Sequence, residues 1–185
     1  MPLENTPASR TITSFFSNNT VPAYQERHVS MGSLLAVDLG LKTGLALYGK
    51  NGRLIWYRSH NFGTAARLKR GIRIILNSVP DCAWLVLEGG GSLADIWKHE
   101  AARRRIAFHQ ISAEQWRKML LYPREHRSRS GAKKSACGVA KRIIEWSGAP
   151  RPTTLRHDTA EAIIIGLWGT MFVGWLKNLP AELKR

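Results

Sequence analysis

The chain has 185 residues, with 28 Lys and Arg against 13 Asp and Glu for a formal net charge of +15. That length suits one domain of ordinary size plus a tail and excludes two full-sized domains. The basic excess, with a pI near 10.6, attracts polyanions, nucleic acid first among them; a basic protein that merely associates with anionic surfaces is the plainer alternative.

Residues 1–31 are rich in Ser, Thr, Asn and Pro and carry no sustained period, which predicts a disordered N-terminal tail ahead of a domain over 32–185. Segments 34–38, 44–48 and 53–59 read as strands, with 49–52 (Gly-Lys-Asn-Gly) turning between the second and third. Residues 64–79 carry Leu68, Ile72, Ile75 and Leu76 at helical spacing and stop at Pro80. The continuous apolar run 84–87 predicts a strand buried on both faces. Ser92 with Asp95 forms a capping-box signature for a helix to about 105, followed by a strand over 106–111 and a short helix over 113–120. Segment 122–134 is polar and predicts a loop, 138–146 a helix, and Asp158 the start of the last helix. Within it, 162–176 is broken by Gly166, Gly169 and Gly174 and is too short for a membrane span, so it reads as a buried core helix. The order predicts a mixed α/β sheet with helices on both faces. Cys82 and Cys137 lack metal-ligand spacing and form no disulfide framework, which fits an intracellular compartment.

Four acidic residues stand at the edges of apolar segments in this basic chain. Asp38 ends the run 34–37, Glu88 ends 84–87, and Asp158 and Glu161 lie three apart, on one face of a helix. Carboxylates converging from strands and a helix suit hard divalent cations such as Mg2+, and two-metal hydrolysis of a phosphodiester uses such a set. Asp38 suits the bridging position, and Gly89, Gly90 and Gly91 leave room beside Glu88 for a nucleic-acid strand. Each acid also has an ordinary reading: Asp38 a strand-end turn residue, Glu88 a solvated strand terminus, Asp158 a helix N-cap with Glu161 its capping-box partner.

Residues 35–47, Leu-Ala-Val-Asp-Leu-Gly-Leu-Lys-Thr-Gly-Leu-Ala-Leu, resemble the first hairpin of the RuvC-type Holliday junction resolvases of the ribonuclease H-like superfamily. Leu-Val-Leu-Glu at 85–88 resembles their second acidic strand, and His-Asp-Thr-Ala-Glu-Ala-Ile at 157–163 their closing helix signature; 111–117 resembles their strand-to-helix step. Two positions depart from the pattern: Leu39 stands where Pro commonly follows the first Asp, and Glu161 where Asp is usual. The Gly-rich loop after Glu88 also lacks the bulky residue that bacterial members carry near the junction centre. The resemblance implies a ribonuclease H-like mixed five-stranded sheet flanked by helices. It further implies two Mg2+ or Mn2+ ions held by Asp38, Glu88, Asp158 and Glu161, and a homodimer that nicks both strands of a four-way DNA junction in recombination and repair. The alternatives are another ribonuclease H-like nuclease acting on ribosomal RNA, or an inactive nucleic-acid-binding module of the same fold.

Arg103, Arg104, Arg117, Lys118, Arg127, Lys133 and Lys134 concentrate positive charge between the second and third acids and are the candidate DNA contacts; a solvated basic face is the plainer reading. Trp97 and Trp116 are candidates for base stacking, against a reading as core or dimer interface, and Trp84, Trp168 and Trp175 read as core or interface. His157 reads as a metal ligand, a proton donor or a solvated histidine. In the tail, residues 9–16 resemble the sliding-clamp-binding peptide of replication and repair proteins, with Ile12, Phe15 and Phe16 as its apolar contacts and Ser9 in place of the usual Gln. An organelle transit peptide and an inert leader ahead of Met31 compete with that reading. A functional tail implies nucleus or organelle, and otherwise the cytoplasm.

Overall fold

The computed structural model describes residues 32–120 and 129–184, and for 129–134 the backbone alone. Ile12, Phe15, Phe16 and Arg127 lie outside the described residues. Five strands, β1 (Ser33–Asp38), β2 (Lys42–Gly49), β3 (Leu54–Asn61), β4 (Cys82–Glu88) and β5 (Ala107–Ile111), form one sheet in the order β3-β2-β1-β4-β5. The first three are antiparallel neighbours; β4 runs parallel to β1, and β5 parallel to β4. Among the described residues five helices accompany them: α1 (Ala65–Asn77), α2 (Ser92–Arg103), α3 (Ala113–Leu120), α4 (Arg129–Ser147) and α5 (His157–Phe172), with a 3₁₀ turn at Ala181–Leu183.

Side chains alternate across a strand, and the central strands bury both faces. Leu35, Val37, Leu85 and Leu87 face α1 and α2, packing with Leu68, Ile72 and the fully buried Trp97. Leu34, Ala36 and Val86 face the opposite layer, where α3, α4 and α5 contribute Trp116, Ile143 and Ile163 to Ile165. The same parity sends Asp38 and Glu88 to the α5 side of the sheet. This alternation explains why both segments read as unbroken apolar runs.

Helix α5 is buried from Thr159 to Thr170, apart from the half-buried Glu161, and lies directly on the sheet. Gly44 makes its approach possible: a Cβ there would stand 2.0 Å from the Asp158 carbonyl oxygen. Tyr48, fully buried, donates its hydroxyl to the Ile163 carbonyl at 2.6 Å and ties the middle of α5 to β2.

Three local expectations change. Helix α2 has Gly91 as its N-cap with no side-chain cap bond, so Ser92 is already helical and the Ser92–Asp95 capping box does not form. Helix α4 begins at Arg129, inside the segment read as a loop, and places Lys133 and Lys134 on its early turns. Ala132, Lys133, Lys134 and Ala136 are strong helix formers, and they outweigh the Ser and Gly around them. The last helix ends at Phe172, and Gly174 with φ 78° reverses the chain behind it. Among the described residues no helix is long and apolar enough to cross a membrane.

Candidate functional site

Parallel pairing of β1 with β4 sets Asp38 directly beside Glu88 at the same edge of the sheet. The Leu39 amide donates to the Glu88 carbonyl at 3.0 Å, so the two strands stay paired one residue beyond the acids. Gly89 accommodates this: its φ is 120°, and a Cβ would stand 2.8 Å from the Leu39 Cβ. On the other side Asp38 pairs with Gly44, the residue on which the start of α5 rests. A glycine inside a strand thereby brings Asp158 and Glu161 to the strand-end acids.

The helix-cap reading of that pair does not hold. The N-cap of α5 is Arg156, in extended conformation and without a side-chain cap bond, and His157 is the first helical residue. Asp158 lies in the first turn, where its Oδ1 accepts from the Thr159 amide at 2.8 Å and its Oδ2 from the Ser59 hydroxyl at 2.5 Å. Glu161 Oε1 lies 3.3 Å from the Arg117 guanidinium and 3.4 Å from His157 Nε2. Neither acid caps the other's backbone.

Burial, followed by the charges of Glu161, Glu88 and Asp158, pushes the Asp38 carboxyl up to about 8; Arg117 opposes the shift. Glu88 is also raised, first by burial, while the Trp116 indole N–H at 2.5 Å from its Oε2 and the charge of Arg117 pull it back. Consecutive residues of α3, Trp116 and Arg117, thus hold Glu88 and Glu161. Among the described residues Asp38 accepts no side-chain hydrogen bond. Arg117 does not offset the three acidic neighbours and the burial, a deficit that a cation relieves.

The donor set is all carboxylate oxygen, which fits a hard divalent cation. Among the described residues no three His, Cys, Asp or Glu side chains are gathered into a ready-made cation cluster. Three of the acids are held by protein donors, Trp116 on Glu88 Oε2, Ser59 with Thr159 on Asp158, and Arg117 with His157 on Glu161 Oε1, and these donors leave Glu88 Oε1 and Glu161 Oε2 open to a cation. The residues fit the group chemically, and the closed arrangement is left to the ion.

The basic candidates divide. Arg117 belongs to the acid cluster, and its neighbour Lys118 is exposed and paired with Glu114 at 2.7 Å. Arg103 and Arg104 both hold the buried Glu100, at 2.6 and 3.1 Å, and Arg104 also donates to Asn77. They sit at the end of a 12-residue helix that runs antiparallel to β4, which places them about 18 Å from the acid edge. Trp97 and Trp116 are fully buried, so neither is available to stack on a base. Trp168 is buried, and Trp84 and Trp175 are half-buried against the same core.

The structure of T. thermophilus RuvC in complex with Holliday junction substrate is similar to this chain with a TM-score of 0.51, at 13% identity over 76% of this chain and 94% of that one. The fold is RuvC-like and ribonuclease H-like. At that identity the likeness shows the fold alone. A second similarity, to a chain of the simian T-cell lymphotropic virus intasome in complex with PP2A regulatory subunit B56 gamma, has a TM-score of 0.30 at 11% identity over 75% of this chain and 48% of that one, and carries no argument. No protein-family model and no curated protein matches the sequence. Within the RuvC-like frame, two supports carry little sequence signal: Ser59 on Asp158, and Trp116 on Glu88. Gly44 does carry one, because an isolated glycine in a strand marks close backbone approach.

Proposed function

We propose that the chain is a metal-dependent, structure-selective DNA endonuclease that resolves four-way junctions as a homodimer, each protomer nicking one strand. One observation carries the reading: Asp38 and Glu88, paired at the ends of adjacent parallel strands, face the first turns of α5 with Asp158 and Glu161. Asp38, Glu88, Asp158 and Glu161 would hold Mg2+ or Mn2+. Bound there, the ions would activate water and offset the charge that builds on the scissile phosphate. Around them, Trp116 aims Glu88, Ser59 aims Asp158, and Arg117 limits repulsion among the acids before the ions arrive. The net charge of +15 supplies attraction to the phosphate backbone. Branched DNA as the substrate is supported by the junction-bound state of the RuvC structure of similar fold.

The test is to incubate the purified full chain with a four-way junction, a linear duplex and an RNA/DNA hybrid, each with and without Mg2+. Symmetric nicks in the junction, present only with the metal, are the expected result. Cleavage confined to the hybrid would move the substrate to RNA, and no cleavage of any substrate would overturn the nuclease reading.

A further inference from the structure

Residues 39–80 contain eight Lys and Arg and no Asp or Glu, more than half of the chain's net charge of +15. They form β2, β3 and α1, and β3 stands at the edge of the sheet with two unlike faces. Toward α5 it presents Tyr57, Ser59 and Asn61. Toward α1 it presents Trp56, Arg58 and His60, the register partners of Leu47, Leu45 and Thr43. Leu45 and Leu47 are buried under Leu68 and Ile72 of α1, whereas Trp56 and His60 stay half-buried and Arg58 is exposed. The helix covers β2 and leaves this side of β3 partly open.

Aromatic contacts join the open row to α1. The Arg58 guanidinium lies over the Trp56 ring at 4.8 Å, His60 stacks on Phe62 at 5.7 Å, and the Phe62 ring lies against Gly71, where a Cβ would collide with it. Burial, then the charge of Arg58, holds the His60 imidazole below its ordinary value, so the row's charge at neutral pH is that of Arg58. Arg67, one turn before Gly71, shares its side of α1, and Arg70 stands beside it facing outward, because Leu68, Ile72, Ile75 and Leu76 take the buried side. Both are exposed, and neither they nor Arg58 has a carboxylate partner among the described residues, whereas Arg73 on the other flank of α1 pairs with Glu100. No acid stands in the first turn of α1, where negative charge is favoured.

We infer that this face, Arg58, Arg67 and Arg70 with the Trp56 and His60 rings between the strand and the helix, binds the phosphodiester backbone of nucleic acid outside the cleavage site. Guanidinium groups bond phosphate oxygens and release counterions, and open rings beside them suit the sugars and bases of the same backbone. Ser59, Gly44, Asp38 and Glu88 form one register row across the sheet. Arg58, one residue before Ser59, therefore lies about 10 Å from Asp38, two strand spacings away, and on the opposite face. The segment it holds flanks the cut rather than containing it. That the nucleic acid is a junction rests on the proposed function; the charge and geometry of the face do not.

The test measures binding of a fluorescein-labelled four-way junction to the full chain, without Mg2+, over a series of salt concentrations. The triple variant Arg58→Gln/Arg67→Gln/Arg70→Gln is compared with Lys50→Gln/Lys177→Gln/Lys184→Gln, which removes the same charge from exposed positions away from this face. The first is expected to weaken binding about tenfold and to lower the salt slope by about two to three, nearly one per lost phosphate contact. The control is expected to leave the slope unchanged, and Arg58→Lys/Arg67→Lys/Arg70→Lys to restore it, which a misfolded protein would not do. Equal slopes for the two triple variants would overturn the inference, and a loss confined to phosphatidylserine vesicles would give the face to an anionic membrane instead. Cleavage by the wild type is scored separately: its absence counts against the nuclease reading, whereas the face stands or falls on the binding slope.

Discussion

Asp38 is the strongly raised carboxyl group of the proposed site. Held up to about 8 against an ordinary value of 3.8, it keeps a proton in the folded state that the unfolded chain has already released. Between those values the unfolded state binds fewer protons, so the metal-free protein loses stability as pH rises through the window. Calorimetry in EDTA is expected to show the melting temperature falling between about pH 4 and 8 and levelling above, with Asp38→Asn flattening the fall; parallel curves would contradict this. The same variant is expected to abolish metal-dependent cleavage while keeping or strengthening junction binding, since it removes a ligand and one repulsive charge together. Normal cutting would show the site to be elsewhere. Trp116→Phe keeps the ring and removes only the N–H on Glu88, and the expected effect is a Mg2+ requirement shifted upward by about tenfold, as for other partners that orient a ligand.

At the scale of elements, the site depends on how closely α5 lies on β2. A Cβ at position 44 meets backbone atoms of Asp158 and Thr159, none of which can rotate away. Gly44→Ala is therefore expected to cost about 3 kcal/mol, at the upper end of overpacking, and to lower cleavage even where the protein still folds. Urea unfolding beside a cleavage assay separates the two losses. Tyr48→Phe, which removes the buried bond to the Ile163 carbonyl, is expected to cost about 1 kcal/mol and leave the acids in place. Element positions were legible where apolar period and punctuation agreed: α1 (Ala65–Asn77) lies within the expected 64–79, and α3 spans the expected residues. The Ser92–Asp95 signature misled because Gly91, with φ 72°, already turns the chain into the helix and leaves no place for a capping side chain ahead of Ser92.

For the whole molecule, the sheet sorts the charges by edge. The acids collect where β1 and β4 end, and Glu100 with Arg73, Arg103 and Arg104 collects at the other edge, where it braces α2 against α1. Removing residues 1–30 is expected to leave metal-dependent cleavage intact, because every candidate catalytic side chain lies on elements from β1 onward; loss of cleavage in that truncation would assign the tail a part in the reaction. The sequence by itself determined the strands, the two-sided burial of β1 and β4, and the ends of those strands where Asp38 and Glu88 stand. Apolar runs and their flanking residues are local, and local pattern decides them. Whether Asp158 and Glu161 were a cap or part of the site, whether Trp116 met a base or a carboxylate, and which arginines were already paired were decided only in three dimensions. Each depends on a partner far along the chain: Gly44 and Ser59 for Asp158, Glu88 for Trp116, and Asn77 for Arg104. Such partners meet only when the sheet has formed and α5 has settled on it.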